Sequence, residues 1–119
     1  GLTVYPGSEL PLIDALDRGS PGCISATANL NVSAIARVVE LYDQGDTAGA
    51  VACHDNVNRF RLIMQDVAPI PAQKCLLASA TGDLRWANVR PPLTAMSEEA
   101  GEELASLLKR ECAFTMDVS

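Results

Sequence analysis

From Gly22 to Asn31 the chain carries no charged side chain, and Pro21-Gly22 opens that run as punctuation. Gly22-Cys23-Ile24-Ser25-Ala26-Thr27-Ala28-Asn29-Leu30-Asn31 is built of small, β-branched and Thr residues before it breaks into asparagines. Such a run reads as a buried strand rather than a helix. Without a charge on it, both faces are expected to be covered, as in a parallel sheet. Its polar residues gather where a strand would hand over to a helix, the edge at which parallel α/β proteins hold ligands. The plainer reading is a core strand followed by a turn.

Composition narrows the class. Hydrophobic residues make up 48% of 119, which suits one small packed domain and argues against disorder. The net charge of −6, with no run of basic residues, excludes nucleic acid and anionic membrane surfaces as expected partners. No stretch approaches the roughly 18 apolar residues of a membrane span, and without a charged-then-apolar opening no leader is expected. A soluble, cytoplasmic protein is expected. Cys23, Cys53, Cys75 and Cys112 are scattered, and His54 is the only histidine. That spacing offers neither a metal site nor a disulfide framework, so buried free thiols are expected, with no metal and no cofactor.

Along the chain, Leu2–Tyr5 reads as a short strand ended by Pro6-Gly7. Ser8 is the expected cap of a helix to Arg18 with Pro11 in its first turn, and Gly19 is its stop. The strand Gly22–Ala26 follows, parallel to the first through a right-handed crossover. A helix from Val32 to Gln44, capped by Asn31, has Ile35, Val38, Val39 and Tyr42 on one face. Asp46 caps a longer helix to Asp66, with Cys53, Val57, Phe60, Met64 and Val67 as its seam. His54, Asp55, Asn58, Arg59 and Arg61 are assigned to its other side. Pro69 and Pro71 interrupt it, a helix Ala72–Ala80 ends near Gly82, and a loop spans Asp83–Thr94. Ser97 caps a last helix with Glu98 and Glu99 at its positive end, Lys109 and Arg110 at its negative end, and Leu104, Leu107, Leu108 and Cys112 inward. The tail Ala113–Ser119 shows no periodicity and is expected to be loose.

That order leaves two parallel strands as the whole sheet, with edges open and faces uncovered, where small sheets need three strands or more. With Gly1 in place of an initiator methionine and a strand from the second residue, the chain is expected to be a piece of a larger (β/α) protein, insoluble or molten by itself.

Four stretches, in sequence order, carry a resemblance. Gly22-Cys23-Ile24-Ser25-Ala26-Thr27-Ala28-Asn29 looks like the last barrel strand of the dihydrodipicolinate synthase / N-acetylneuraminate lyase family. Tyr5-Pro6-Gly7-Ser8-Glu9 resembles the preceding strand-end loop. Pro69-Ile70-Pro71-Ala72-Gln73-Lys74 resembles its Pro-x-Pro helix opening, and Val89-Arg90-Pro91-Pro92-Leu93 the loop before its final helix. The likeness runs from Gly1 to about Arg110. It implies an α/β fold, the C-terminal portion of a (β/α)8 TIM barrel: residues 1–45 as the last two βα units and 46–119 as a C-terminal helical extension.

The resemblance also implies the chemistry. Family members hold pyruvate as a Schiff base on a barrel lysine, with a tyrosine as proton relay; both come from earlier strands. A Schiff-base lysine must be desolvated or set beside other cations, whereas Lys74 and Lys109 both fall on expected helices of the extension. No catalytic residue is therefore expected in this segment, which alone should be inactive. Its expected contribution is pocket wall for a 2-keto acid such as pyruvate. Gly7 matches a strand-end glycine that admits substrate to the backbone, or serves as a generic helix entry. Ser8 and Glu9 fall where lyase-like members bind the substrate tail, with helix capping as the equal alternative; Gly-Ser-Glu departs from the Gly-Asp-Asp of synthase-like members. Ile24 matches a residue whose carbonyl faces the catalytic lysine, its side chain being core. Ala26 replaces a serine of sialic-acid lyases and counts against that activity. A pyruvate-dependent lyase follows, an aldolase or a 2-keto-3-deoxy sugar acid dehydratase, expected as a homo-oligomer, dimer or tetramer. The rival is a non-catalytic helical interaction module.

Overall fold

The structure, a computed structural model, describes residues 1–116 and divides the chain into two compact units, Gly1–Arg61 and a second beginning at Leu62. The first unit contains α1 (Leu12–Asp17), α2 (Ala28–Asp43) and most of α3 (Thr47–Gln65). Its core is Leu12 and Leu16 of α1, Ile35 and Val38 of α2, and Val57 of α3, all buried. Half-buried Val39, Tyr42 and Cys53 pack against them, as the helical periodicity requires. Each fully buried aliphatic side chain contributes about 1.5–3 kcal/mol, so this small cluster carries most of what holds the three helices together.

Neither expected strand forms. Leu2–Tyr5 and Gly22–Ala26 are irregular, and the described residues contain no strand. The two segments do lie side by side in parallel sense. The Ile24 N–H donates to the Pro6 carbonyl at 3.0 Å, and the Ser20 hydroxyl reaches the Val4 carbonyl at 2.6 Å. A helix satisfies its own backbone, whereas a parallel strand must be given partners along its length. Here the side chains chosen for burial face outward instead: Leu2 is 97%, Val4 66% and Ile24 70% exposed. Gly22–Asn31 is therefore covered on one face rather than two, and the Ile24 side chain is not core.

Helix ends follow local chemistry, with shifts. Ser8 accepts from the Leu10 N–H at 3.2 Å and so closes a turn, while α1 starts after Pro11. Asn31 does not cap α2, which begins at Ala28; it is a kink inside that helix, at φ −119° and ψ 31°. Gly19 and Gly45 stop their helices at positive φ, 86° and 77°. Asp46 caps α3 by accepting from the Gly49 N–H at 3.0 Å.

In the second unit α4 (Pro69–Thr81) begins three residues before the expected Ala72, because prolines at the first turn sacrifice no intrahelical bond. The segment expected to be all loop contains a 3-10 turn, Leu84–Ala87, whose lead residue Asp83 accepts from the Arg85 N–H at 3.0 Å. Helix α5 (Glu98–Cys112) is built as its sequence dictates. Ser97 caps it at 3.2 Å from the Ala100 N–H, and Leu104, Leu108 and Cys112 are buried. Leu107 is half-buried. The Phe114 N–H closes on the Leu108 carbonyl at 3.2 Å, so the start of the tail is tied back, and Asp117–Ser119 lie outside the described residues. No helix among the described residues is long and apolar enough to cross a membrane.

Helices α4 and α5 meet at Gly101, whose missing side chain leaves room for the Cys75 sulfur. A methyl at Gly101 would overlap that sulfur. Gly101→Ala is expected to cost about 1–3 kcal/mol in denaturant unfolding, the usual range for overpacking. Cys75→Ala in the same chain should recover most of the loss; an additive double variant would show that the two do not share the space.

Candidate functional site

The polar residues of the first unit converge on Glu9. Its side chain is fully buried, at 0% exposure. An isolated carboxylate in such a place costs several kcal/mol, so its partners decide whether the fold tolerates it. The Ser25 hydroxyl donates to Glu9 Oε2 at 2.5 Å, and the buried Thr27 hydroxyl donates to Oε1. Arg61 of α3 supplies the counter-charge: its Nη1 lies 3.8 Å from Glu9 Oε2 and donates to Ser25 Oγ at 3.3 Å. Each hydroxyl has one proton and both are committed to the carboxylate, so the 3.0 Å approach of Ser25 to Thr27 is adjacency in that state.

The backbone of Glu9 is held as well. Its carbonyl accepts from the Leu12 N–H at 3.0 Å, the first bond of the turn into α1. The same carbonyl lies 2.7 Å from His54 Nε2. A carbonyl only accepts, so Nε2 carries the proton. Thus α3 grips one residue twice, at the main chain through His54 and at the side chain through Arg61. The positions 54, 58 and 61 form an i, i+4, i+7 stripe, and Asn58 Oδ1 and Arg61 Nε are buried without a partner among the described residues.

The expected site residues distribute themselves around this cluster. Gly7 is exposed, and a side chain added there would meet no atom within 4 Å. Ser8 is half-buried in its turn, and Ala26 is exposed. The Ala26 carbonyl accepts from the Asn29 side-chain amide at 2.9 Å and its N–H at 3.2 Å. Ser25 and Thr27 turn toward Glu9 while Ile24 and Ala26 turn away, an alternation that leaves the latter pair on the open face. Ser25, Thr27, His54 and Arg61 were not among the sequence candidates. The signal for them was present: two hydroxyls at i and i+2 inside an apolar run, and a polar stripe beside the seam 53, 57, 60, 64. Arg61 and His54, assigned to the outer side of α3, face the buried carboxylate instead.

Cys23 borders the cluster. Burial, and then the negative charge of Glu9, push its thiol above the ordinary cysteine range. Burial does the same for Cys53, against an opposing pull from Arg37, and for Cys75, helped by Glu98. These thiols stay protonated at neutral pH and are poor nucleophiles.

A loop and a turn are thus locked together at Glu9. N-acetylneuraminate lyase from Mycoplasma synoviae superposes with a TM-score of 0.80 at 15% identity, over 94% of this chain and 37% of that one. A monomeric dihydrodipicolinate synthase variant superposes with a TM-score of 0.76 at 21% identity, over 94% of this chain and 36% of that one. Both are TIM-barrel proteins, and the likeness covers a fragment of them. In sequence, the 4-hydroxy-tetrahydrodipicolinate synthase of Methanococcoides burtonii is 31% identical over 104 residues, 87% of this chain and 34% of that protein. That of Haloarcula marismortui is 30% identical over 103 residues, 86% of this chain and 32% of that protein. The chain thus spans about a third of the length of these relatives. The sequence model of the dihydrodipicolinate synthetase family matches residues 1–111, and the chain belongs to that family.

Thr27→Val removes one of the two hydroxyls on a buried carboxylate while keeping the shape. It is expected to lower stability by about 1–3 kcal/mol, the cost of an unsatisfied buried acceptor. Ser33→Ala, at an exposed position of α2, should change it by no more than about 0.5 kcal/mol. Equal effects in thermal unfolding would remove Thr27 from the cluster.

Proposed function

We propose that this chain is the C-terminal part of a pyruvate-dependent Schiff-base lyase. Residues 1–45 would supply the last two βα units of its barrel and 46–119 a helical extension. Gly7, Ser8, Glu9, Ile24 and Ala26 then form pocket wall around a 2-keto acid, with Glu9 acting through its neighbours. The Schiff-base lysine and the tyrosine lie outside these residues: Lys74 is on α4 and Lys109 on α5, neither on the loops Pro6–Glu9 or Ala26–Asn29. The reaction is aldol condensation, cleavage or the dehydration of a 2-keto-3-deoxy sugar acid, in a cytoplasmic homo-oligomer.

The observation that carries this reading is Gly7. Nothing among the described residues requires a glycine there, since a side chain would enter open space and the backbone is not left-handed. A glycine with no internal reason fits a surface that something else must approach. The exposed Leu2, Val4 and Ile24 beside it are apolar side chains of the kind that neighbouring strands would cover.

Borohydride trapping tests the reading. The longer protein it requires, incubated with pyruvate and borohydride, should gain a reduced pyruvyl adduct, and the 119-residue chain should gain none. Adduct on Lys74 or Lys109 at a comparable rate would overturn it. In the longer protein Gly7→Val should slow turnover at least about tenfold with little loss of melting temperature, because the block falls on substrate approach. Gly45→Val, at positive φ, should do the reverse, losing stability while the folded fraction stays active.

A further inference from the structure

We propose that Arg61 is a positioning residue: from α3 it fixes, through Glu9, the orientation of the two loops that form the pocket wall. The inference rests on the reading above for what the loops surround, and on the geometry alone for the clamp. Three observations carry it. Arg61 is an arginine with only 21% of its side chain exposed, aimed at a carboxylate with none. Glu9 sits at the end of the first loop, and its two oxygens take the hydroxyls of Ser25 and Thr27 from the second. The same helix takes the Glu9 carbonyl through His54 at 2.7 Å, two turns earlier.

The electrostatics say why such a clamp would be kept. A buried ion pair is a poor stabiliser, because desolvating two charges offsets most of their attraction. At 3.8 Å the Arg61–Glu9 contact is beyond hydrogen-bonding range, so it acts as a charge held near a charge. A pair of well-packed apolar side chains would hold the first loop to α3 as firmly. What they would not do is set direction. With Ser25 and Thr27 pinned inward, the residues between and before them, Ala26 and Ile24, must face outward, and the Ile24 N–H is held on the Pro6 carbonyl at 3.0 Å. Releasing the Glu9 side chain removes the tie between the two loops. Leaving Glu9 charged without Arg61 is worse than removing both, since the lone carboxylate must then find water or a proton.

The experiment uses the longer protein and four variants: Arg61→Met, Arg61→Lys, Glu9→Gln and the double Glu9→Gln/Arg61→Met. Pyruvyl adduct trapped by borohydride is followed against pyruvate concentration, beside melting temperature and amide exchange of residues 6–10 and 24–29. Arg61→Met and Glu9→Gln should trap at least about tenfold more slowly at saturating pyruvate, the cost of a misplaced pocket wall, and exchange faster in those two segments. Arg61→Lys should recover the rate to within about threefold because the charge is kept, and the double variant should melt higher than Arg61→Met yet trap as slowly, because neutral partners relieve the buried charge without setting direction. Where Arg61→Met does not fold, Glu9→Gln, which keeps the side-chain shape, carries the comparison. Variants that melt lower yet trap at the wild-type rate per folded molecule overturn the proposal, since that is what mere packing predicts. A wild-type protein that forms no adduct overturns the lyase reading instead. The clamp then stands if exchange in the two segments accelerates in Arg61→Met, and falls if it does not.

Discussion

A buried carboxylate is the constraint on which the first unit depends. Glu9 enters the interior with no exposed surface, and everything near it answers that cost. Two hydroxyls and a guanidinium attend its oxygens. Its carbonyl uses both lone pairs, one for the Leu12 N–H that begins the turn into α1 and one for His54. One residue thereby couples the start of α1, the turn before α2 and two turns of α3. The apolar cluster of Leu12, Leu16, Ile35, Val38 and Val57 supplies the cohesion, and it is indifferent to small sliding of its members. The polar hub is not indifferent, because hydrogen bonds fail within a few tenths of an ångström.

The irregular segments Leu2–Tyr5 and Gly22–Ala26 show the difference between local and collective structure. Their residues favour strands, and they approach each other in the parallel sense. Propensity for a strand is the fitness of a side chain for a half-buried pleated surface, and it has no effect where the surface is absent. Helix α5, by contrast, needs only its Ser97 cap, its acidic first turn and basic last turn to be defined. The same chain therefore displays fully formed helices beside strand sequence that remains unpaired. In a barrel of this family such stretches are covered on both faces and bonded on both edges.

How much of this the sequence disclosed follows the same line. Helix existence, the stops at Gly19, Gly45 and Gly82, and the caps Asp46 and Ser97 were legible because each is decided within one turn. Boundaries that depend on what lies next to them were not: α2 starts at Ala28 because the turn after Ser25 feeds directly into it, and Asn31 is left as a kink. Of the site, Glu9 was readable from the family pattern, but its burial was not, since carboxylates are presumed to face water. Arg61 and His54 were misplaced for a related reason. A polar stripe on an amphipathic helix reads as a solvated face, and only a buried charge of opposite sign turns that reading round.

Side-chain length at position 9 sharpens the point. The resemblance sets the aspartate of a Gly-Asp-Asp pattern against this position, and this chain has a glutamate. Retracting the carboxylate by one carbon–carbon bond, about 1.5 Å, would stretch the 2.5 Å contact with Ser25 past any useful hydrogen bond unless the loop moved inward by the same amount. The Leu12 and His54 bonds to the Glu9 carbonyl oppose that movement, because they hold the main chain to α1 and α3. The longer side chain, the arginine across from it and the two hydroxyls are therefore one matched set. The loop keeps its main-chain position while the charge is carried inward to Arg61; Ser8, one residue before it, is half-buried, and Gly7, two before it, stays at the surface.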